Sequence, residues 1–243
     1  MKELNKVYLL GDIHGRSFWR PILDIDPTTY DKVIFLGDYS DPYSYEGFTH
    51  DDAIRELTDI VQFKKDNPDK VVLLLGNHDL TNVDPDIFTA CRWSREHYPK
   101  YKELITDQLD LYQICYEFEQ DGQLYTASHA GIGKPWFDSI SAGNTKNQTH
   151  GEFLNELFQN KEYPPFGMIS FYRGGMYRYG SCVWADLNEF NKHHHHLDAN
   201  IIQIVGHTQQ VTDPVIKDNL WCLDCRKIFI LENNKLEEYV HSS

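Results

Sequence analysis

Five short apolar runs of strand-like composition each lead into a small polar signature, and that repeated junction constrains the fold more than any other feature. Val7 to Leu10 leads into Gly11-Asp12-Ile13-His14-Gly15, and Val33 to Leu36 into Gly37-Asp38-Tyr39-Ser40-Asp41. Val71 to Leu75 leads into Gly76-Asn77-His78-Asp79, Leu124 to Ala127 towards His129-Ala130-Gly131, and Ile201 to Val205 into Gly206-His207-Thr208. Open α/β sheets collect their ligands in the crevice outside the carboxyl ends of the strands. Polar residues placed after successive strands therefore converge on one crevice, however far apart they stand in the chain.

Helical spacing fills the intervals. Thr49 with Asp52 is a capping signature ahead of Ala53, Ile54, Leu57, Ile60 and Val61, which recur on one helical face. Residues 101–116 are expected to form a helix too, with Tyr101, Leu104, Ile105, Leu111, Tyr112 and Cys115 on one stripe. Thr149 with Glu152 caps another before Phe153, Leu154, Leu157 and Phe158. After Gly206 the pattern becomes all-β, in four runs: Pro214 to Lys217, Leu220 to Leu223, Lys227 to Leu231 and Lys235 to Val240. Asp218-Asn219 and Asn233-Asn234 mark turns there. The expectation is a single α/β domain over residues 1–243: two facing mixed β-sheets sandwiched between helices. Residues 132–200, rich in aromatics, Pro164-Pro165 and Gly174-Gly175, read as a small cap inserted over the strand ends.

The net charge of −14 argues against a nucleic-acid backbone as partner, because such binding rests on Lys and Arg neutralising phosphates. No apolar run approaches the length of a membrane span, and the amino terminus lacks the apolar stretch of a signal peptide. Five cysteines, an odd number, suit reduced thiols and a cytoplasmic setting. The Asp, His and Asn residues of the signatures offer oxygen and imidazole donors, a mixture suited to Mn, Fe or Zn rather than Ca. Two buried aspartates such as Asp12 and Asp38 can approach only with a cation between them; otherwise one takes up a proton. Two carboxylates against two dications leave a local positive charge that the acidic chain otherwise lacks.

These signatures, in this order, resemble the calcineurin-like metallophosphoesterases, in particular the branch of Ser/Thr protein phosphatases and diadenosine tetraphosphatases. That branch carries G-D-x-H-G, G-D-x-x-D-R-G, G-N-H-[DE], H-x-G and a last His, and four of the five stand intact here. Trp184-Ala185-Asp186 and Leu223-Asp224 are weaker echoes of its W-[SA]-D and I-D-T-G, so the likeness runs from about Lys6 to Leu231. The resemblance implies a phosphoester substrate and two divalent ions, manganese first, with iron or zinc as alternatives. It assigns Asp12, His14 and Asp38 to one ion and Asn77, His129 and His207 to the other, with Asp38 bridging. A metal-bound hydroxide would attack a phosphomonoester, including that of a phosphoprotein. His78, held by Asp41, would serve the leaving oxygen. A dinucleoside polyphosphate or phosphodiester hydrolase is the alternative, and a metal-binding interaction scaffold without catalysis is the alternative of another class.

The pattern departs from the family at the phosphate clamp. Pro42 follows Asp41 where the family has Arg, and Leu75 precedes Gly76 where Arg is frequent. Arg16 and Arg173 are the first candidates to grip substrate instead, with Arg178, Arg92 and Arg95 behind them. Other signals point to ordinary structure: His193 to His196 as a solvated loop, and Cys222 with Cys225 as a lone C-x-x-C without metal or redox chemistry. Tyr43, Tyr45, Phe171 and Tyr172 could stack on a nucleotide base, but packing is the commoner use of such rings.

Overall fold

Two six-stranded sheets form the frame of the computed structural model, which describes residues 2–191, 196–198, 200–217 and 219–240. The first sheet runs β12 (Lys235–Glu238), β11 (Ile228–Glu232), β2 (Lys6–Leu10), β3 (Lys32–Phe35), β4 (Val71–Leu74) and β5 (Tyr112–Gln113). The second runs β1 (Lys2–Glu3), β6 (Cys115–Gln120), β7 (Gln123–Ser128), β8 (Ile201–Val205), β10 (Leu220–Cys222) and β9 (Val215–Lys217). Both are mixed: β2, β3, β4 and β5 are parallel, while β11 pairs antiparallel with β2 and with β12.

Side-chain alternation divides the core between the layers. Val7, Leu9, Ile34, Val72 and Leu74 share an interior cluster with Phe118, Tyr125, Ala127 and Ile204 of the other sheet. Tyr8, Leu10, Val33, Phe35, Val71 and Leu73 turn the other way, into a second cluster with Ala53, Leu57 and Ile60 of α1 (His50–Asp66). Strands covered on both faces read as nearly continuous apolar runs, which is why these were visible in the sequence. The capping box of α1 forms as expected, Thr49 Oγ1 accepting from Asp52 N and the Asp52 carboxylate accepting from Thr49 N. Asn233 and Asn234 turn the β11–β12 hairpin with φ of 52° and 58°, the left-handed pair that a two-residue hairpin requires.

The helix expected over 101–116 is shorter. α3 covers Tyr98–Leu104, a 3-10 stretch follows at Thr106–Leu111, and Gln108 there leaves helical geometry at φ −134°. Tyr112 then pairs with Leu73 and Gln113 with Leu74, while Cys115 opens β6. An apolar stripe cannot distinguish a continuing helix from a strand buried on both faces, and here the open edge of β4 takes the chain. The capping box at Thr149 does start a helix, α5 (His150–Gln159), after α4 (Lys134–Ser141). Asn155 of α5 accepts from Ile114 N and Cys115 N and donates to Cys115 O, fastening the helix to the start of β6. No described helix is long and apolar enough to cross a membrane.

Replacement of Ile34, wholly buried between the sheets, by Ala should cost roughly 2–5 kcal/mol of stability, read by chemical denaturation. A loss below about 0.5 kcal/mol would contradict its place in a close-packed interior.

Candidate metal centre

Each polar signature follows the strand that the sequence placed before it, and the backbone of one signature fixes the carboxylate of another. Asp38 Oδ1 accepts from His78 N at 3.0 Å, and Asp12 Oδ1 accepts from His207 N at 2.9 Å. One oxygen of each carboxylate is thereby occupied, and the other, Oδ2, is left for the crevice. The glycines make this approach possible. A Cβ at Gly76 would stand 2.1 Å from Asp38 Oδ1, and one at Gly206 would stand 2.2 Å from Asp12 Oδ1. His14, Asp38, Asp41 and His207 hold positive φ of 44°, 54°, 58° and 64°. Non-glycine residues in that region are costly, and such strain gathers at functional sites.

The histidine rings are oriented from behind. His129 Nδ1 donates to Leu36 O at 2.8 Å, and His14 Nδ1 faces Ser40 O at 2.9 Å and Asp41 O at 3.0 Å. A carbonyl only accepts, so the proton of each neutral ring sits on Nδ1 and the Nε2 lone pair points inward. His129 Nε2 lies 2.9 Å from Asn77 Oδ1, 3.1 Å from His207 Nδ1 and 3.3 Å from Asp38 Oδ2. His14 Nε2 lies 3.4 Å from Asp38 Oδ2 and 3.9 Å from Asp12 Oδ2. Asn77 is turned so that Nδ2 donates to Cys91 Sγ at 3.1 Å, leaving its oxygen in the cluster.

Acceptor atoms thus crowd together with few protons among them. Burial opposes a charge on His129, yet Asp38 and Asp12 outweigh it and push its pKa up to about 9. Burial, with Asp224 beside it, drives Asp12 well above the carboxylate range. For Asp38 burial acts upward too, but His129 and His78 prevail and hold it well below that range. Burial and then His129 hold His207 well below its usual value, and its buried Nε2 has no hydrogen-bond partner. A cluster of this kind calls for positive charge. Two ligand groups emerge among the described residues, His14–Asp38–His78 and Asp38–His129–His207, each with its candidate atoms within 4.8 Å of one another. Asp38 is common to both. Imidazoles that donate backward to a carbonyl while presenting the other nitrogen are the usual arrangement around a bound metal ion, so the residues fit one.

His78 occupies the rim. Its Nδ1 donates to Asp41 Oδ2 at 2.5 Å and its Nε2 lies 3.9 Å from Asp38 Oδ2. Burial acts to lower the pKa of His78, but Asp38 and the bond to Asp41 raise it well above that of a free imidazole. The arginines differ in placement. Arg16 is buried, with Nε and Nη2 on Glu46 at 2.8 and 3.0 Å and Nη1 3.4 Å from Asp12 O. Arg173 pairs with Asp186 at 2.9 Å and donates to Thr208 Oγ1, next to His207. The rings expected to pack do so unevenly. Tyr43 lies against His14 at 4.6 Å, whereas Tyr45, Phe171 and Tyr172 are exposed. Cys222 and Cys225 are buried free thiols, and Cys222 donates to Gly206 O and Thr208 O. His193, His194 and His195 lie outside the described residues, while His196 Nε2 donates to Phe190 O.

Two carboxylates escaped the sequence reading. Asp79 accepts from Asp38 N, Tyr39 N, Ser40 N and Gly76 N at 2.7–3.1 Å, binding the loop after β3 to the loop after β4. Asp224, buried beside Asp12, has an Oδ1 without a partner. The final Asp of G-N-H-D and the Leu223-Asp224 echo were the available signals. Asp79→Ala would strand four backbone donors. The expected result, read by calorimetric titration with manganese, is about a 10–100-fold loss of metal affinity. Unchanged affinity in a folded variant would show that the loop holds itself.

The family model for calcineurin-like phosphoesterases matches residues 5–211. Among curated proteins there is no match. Solved structures share the fold, two phosphatases among them. One is a cold-active protein-tyrosine phosphatase of a psychrophilic Shewanella species, with TM-score 0.54 and 17% identity, over 98% of this chain and 78% of that one. The other is a protein serine/threonine phosphatase from Saccharomyces cerevisiae, with TM-score 0.53 and 14% identity, over 100% of this chain and 84% of that one. With the strand order, the five signatures and the matched span in agreement, the chain belongs to the calcineurin-like phosphoesterase family.

Proposed function

We propose that this phosphoesterase hydrolyses phosphomonoesters with two divalent ions, manganese first, which residues grouped around Asp38 would hold. Asp12, His14 and Asp38 would hold one ion, and Asp38, Asn77, His129 and His207 the other. Bound there, the ions would polarise the phosphoryl oxygens and acidify the water that attacks phosphorus. The observation that carries this reading is the convergence on one imidazole nitrogen, His129 Nε2, of Asn77 Oδ1, Asp38 Oδ2 and His207 Nδ1 within 3.3 Å.

The chain's own residues perform the remainder. His78, fastened through Nδ1 to Asp41, keeps Nε2 towards the crevice and hands a proton to the departing oxygen there. Arg173, anchored on Asp186 and Thr208 beside His207, approaches the phosphoryl group from the side of the 132–200 segment, which we read as the cap. Trp184, whose ring stands edge-on to His207 at 5.7 Å, supports that placement. Arg16 braces the Asp12 loop through its bond to Asp12 O, and any grip on substrate would come from the same position.

A second reading, hydrolysis of phosphodiesters or dinucleoside polyphosphates, is favoured by one feature. Phe171, Tyr172, Arg178 and Tyr179 line a cavity of about 630 Å³, room for a planar group. Turnover of p-nitrophenyl phosphate, bis-p-nitrophenyl phosphate and diadenosine tetraphosphate with manganese ranks the two. The monoester should be fastest, chelation by EDTA should abolish its turnover, and His129→Ala should lower it by at least about 10²-fold. A diester or polyphosphate rate equal to the monoester rate would favour the second reading. Two bound ions without turnover of any of the three would leave a metal-binding scaffold.

A further inference from the structure

The family's two phosphate-gripping arginines have no counterpart at the matching positions, so the site must take its guanidinium from elsewhere. Arg92 lies outside both motifs, 51 residues beyond Asp41 on the irregular stretch between α2 (Asn77–Val83) and α3, yet it folds back onto Asp41. Its Nε donates to Asp41 Oδ1 at 2.9 Å and approaches Oδ2 at 3.1 Å, and Oδ2 is the oxygen that also holds His78. The guanidinium lies over the ring of Tyr43 at 4.8 Å, and Tyr43 in turn leans on His14. Position and plane are therefore set by two partners before any ligand arrives.

What remains of the group is open. Nη2 has only a 3.5 Å contact with Asp41 O, Nη1 donates to nothing among the described residues, and the side chain is 55% exposed. Arg16 contrasts with it, being buried with its fork on Glu46. Beside Arg92 opens a cleft of about 410 Å³ lined also by Asp41, Pro42, Phe48, His50 and Trp93. Asp41 is thus shared by the cleft and by the His78 pair, which puts Arg92 one residue removed from His78.

We propose that Arg92 grips the phosphoryl oxygens of the substrate in place of the two missing arginines. A guanidinium held through Nε keeps its planar Nη edge available for two parallel bonds to an oxyanion, which a lysine ammonium cannot reproduce. Because Asp41 fixes its plane, little side-chain freedom is lost on binding. This inference rests on the site being the phosphoester site described above.

The test is inorganic phosphate binding to the manganese-loaded protein by calorimetry, with p-nitrophenyl phosphate kinetics alongside, for wild type, Arg92→Ala, Arg92→Lys and Asp41→Asn. Arg92→Ala should weaken phosphate binding by about tenfold or more and lower kcat/KM by roughly 10²-fold at unchanged metal content. Arg92→Lys should recover only part of the binding. Asp41→Asn, which acts through His78, should lower kcat far more than it weakens phosphate binding. Phosphate bound equally by wild type and Arg92→Ala overturns the inference alone, since binding is read without turnover. A wild type that binds manganese but no phosphate overturns it together with the proposed function.

Discussion

The carboxylate of Asp38 is the point at which the two halves of the fold meet electrostatically. Its Oδ1 is tied to the amide of His78, and its Oδ2 faces imidazoles that come from both sheets: His14 after β2 and His129 after β7. A buried carboxylate is expensive unless it is paired. Protein atoms alone distribute the charge awkwardly. Asp38 is held ionised by His129 and His78, while its neighbour Asp12, desolvated and close to Asp224, is driven to keep a proton. Cations between the donors would remove that conflict, because they favour both carboxylates as anions and the imidazoles as neutral donors.

The geometry that permits this is carried by backbone. Amides of the third and fifth signatures hold the carboxylates of the second and first, and glycines at those junctions leave room that any side chain would fill. Asp79 extends the same device, gathering three consecutive amides of the loop after β3 and one of the loop after β4. The candidate ligands are therefore positioned by strands and by hydrogen bonds between loops. Positioning of this kind fixes side chains before the chemistry begins, which is where most of the rate of a hydrolase originates.

Most of the sheet architecture, and the convergence of the polar signatures on one crevice, were legible in the sequence, because period-two burial and short polar signatures are local patterns. The helix expected over 101–116 was not. Its stripe from Tyr101 to Cys115 fits a helix, and only the free edge of β4, supplied by distant sequence, draws Tyr112 and Gln113 into a strand. The surroundings of the arginines were illegible for the same reason. Arg16 was named first for its proximity to a signature and lies with its fork on Glu46, whereas Arg92, named behind it, reaches Asp41 from 51 residues away. Phe171 and Tyr172 were expected to pack, but they sit on a turn that ends at Gly174 and remain exposed. Side chains whose partners lie outside their own segment leave no mark in composition or spacing.

The central claim is that a pair of cations shares Asp38, and it is tested most directly by anomalous diffraction at the manganese edge from crystals grown with that ion. The account requires two peaks flanking the Asp38 carboxylate, one beside His14 and Asp12, the other beside Asn77, His129 and His207. A single peak, peaks remote from Asp38, or none at saturating manganese would contradict it.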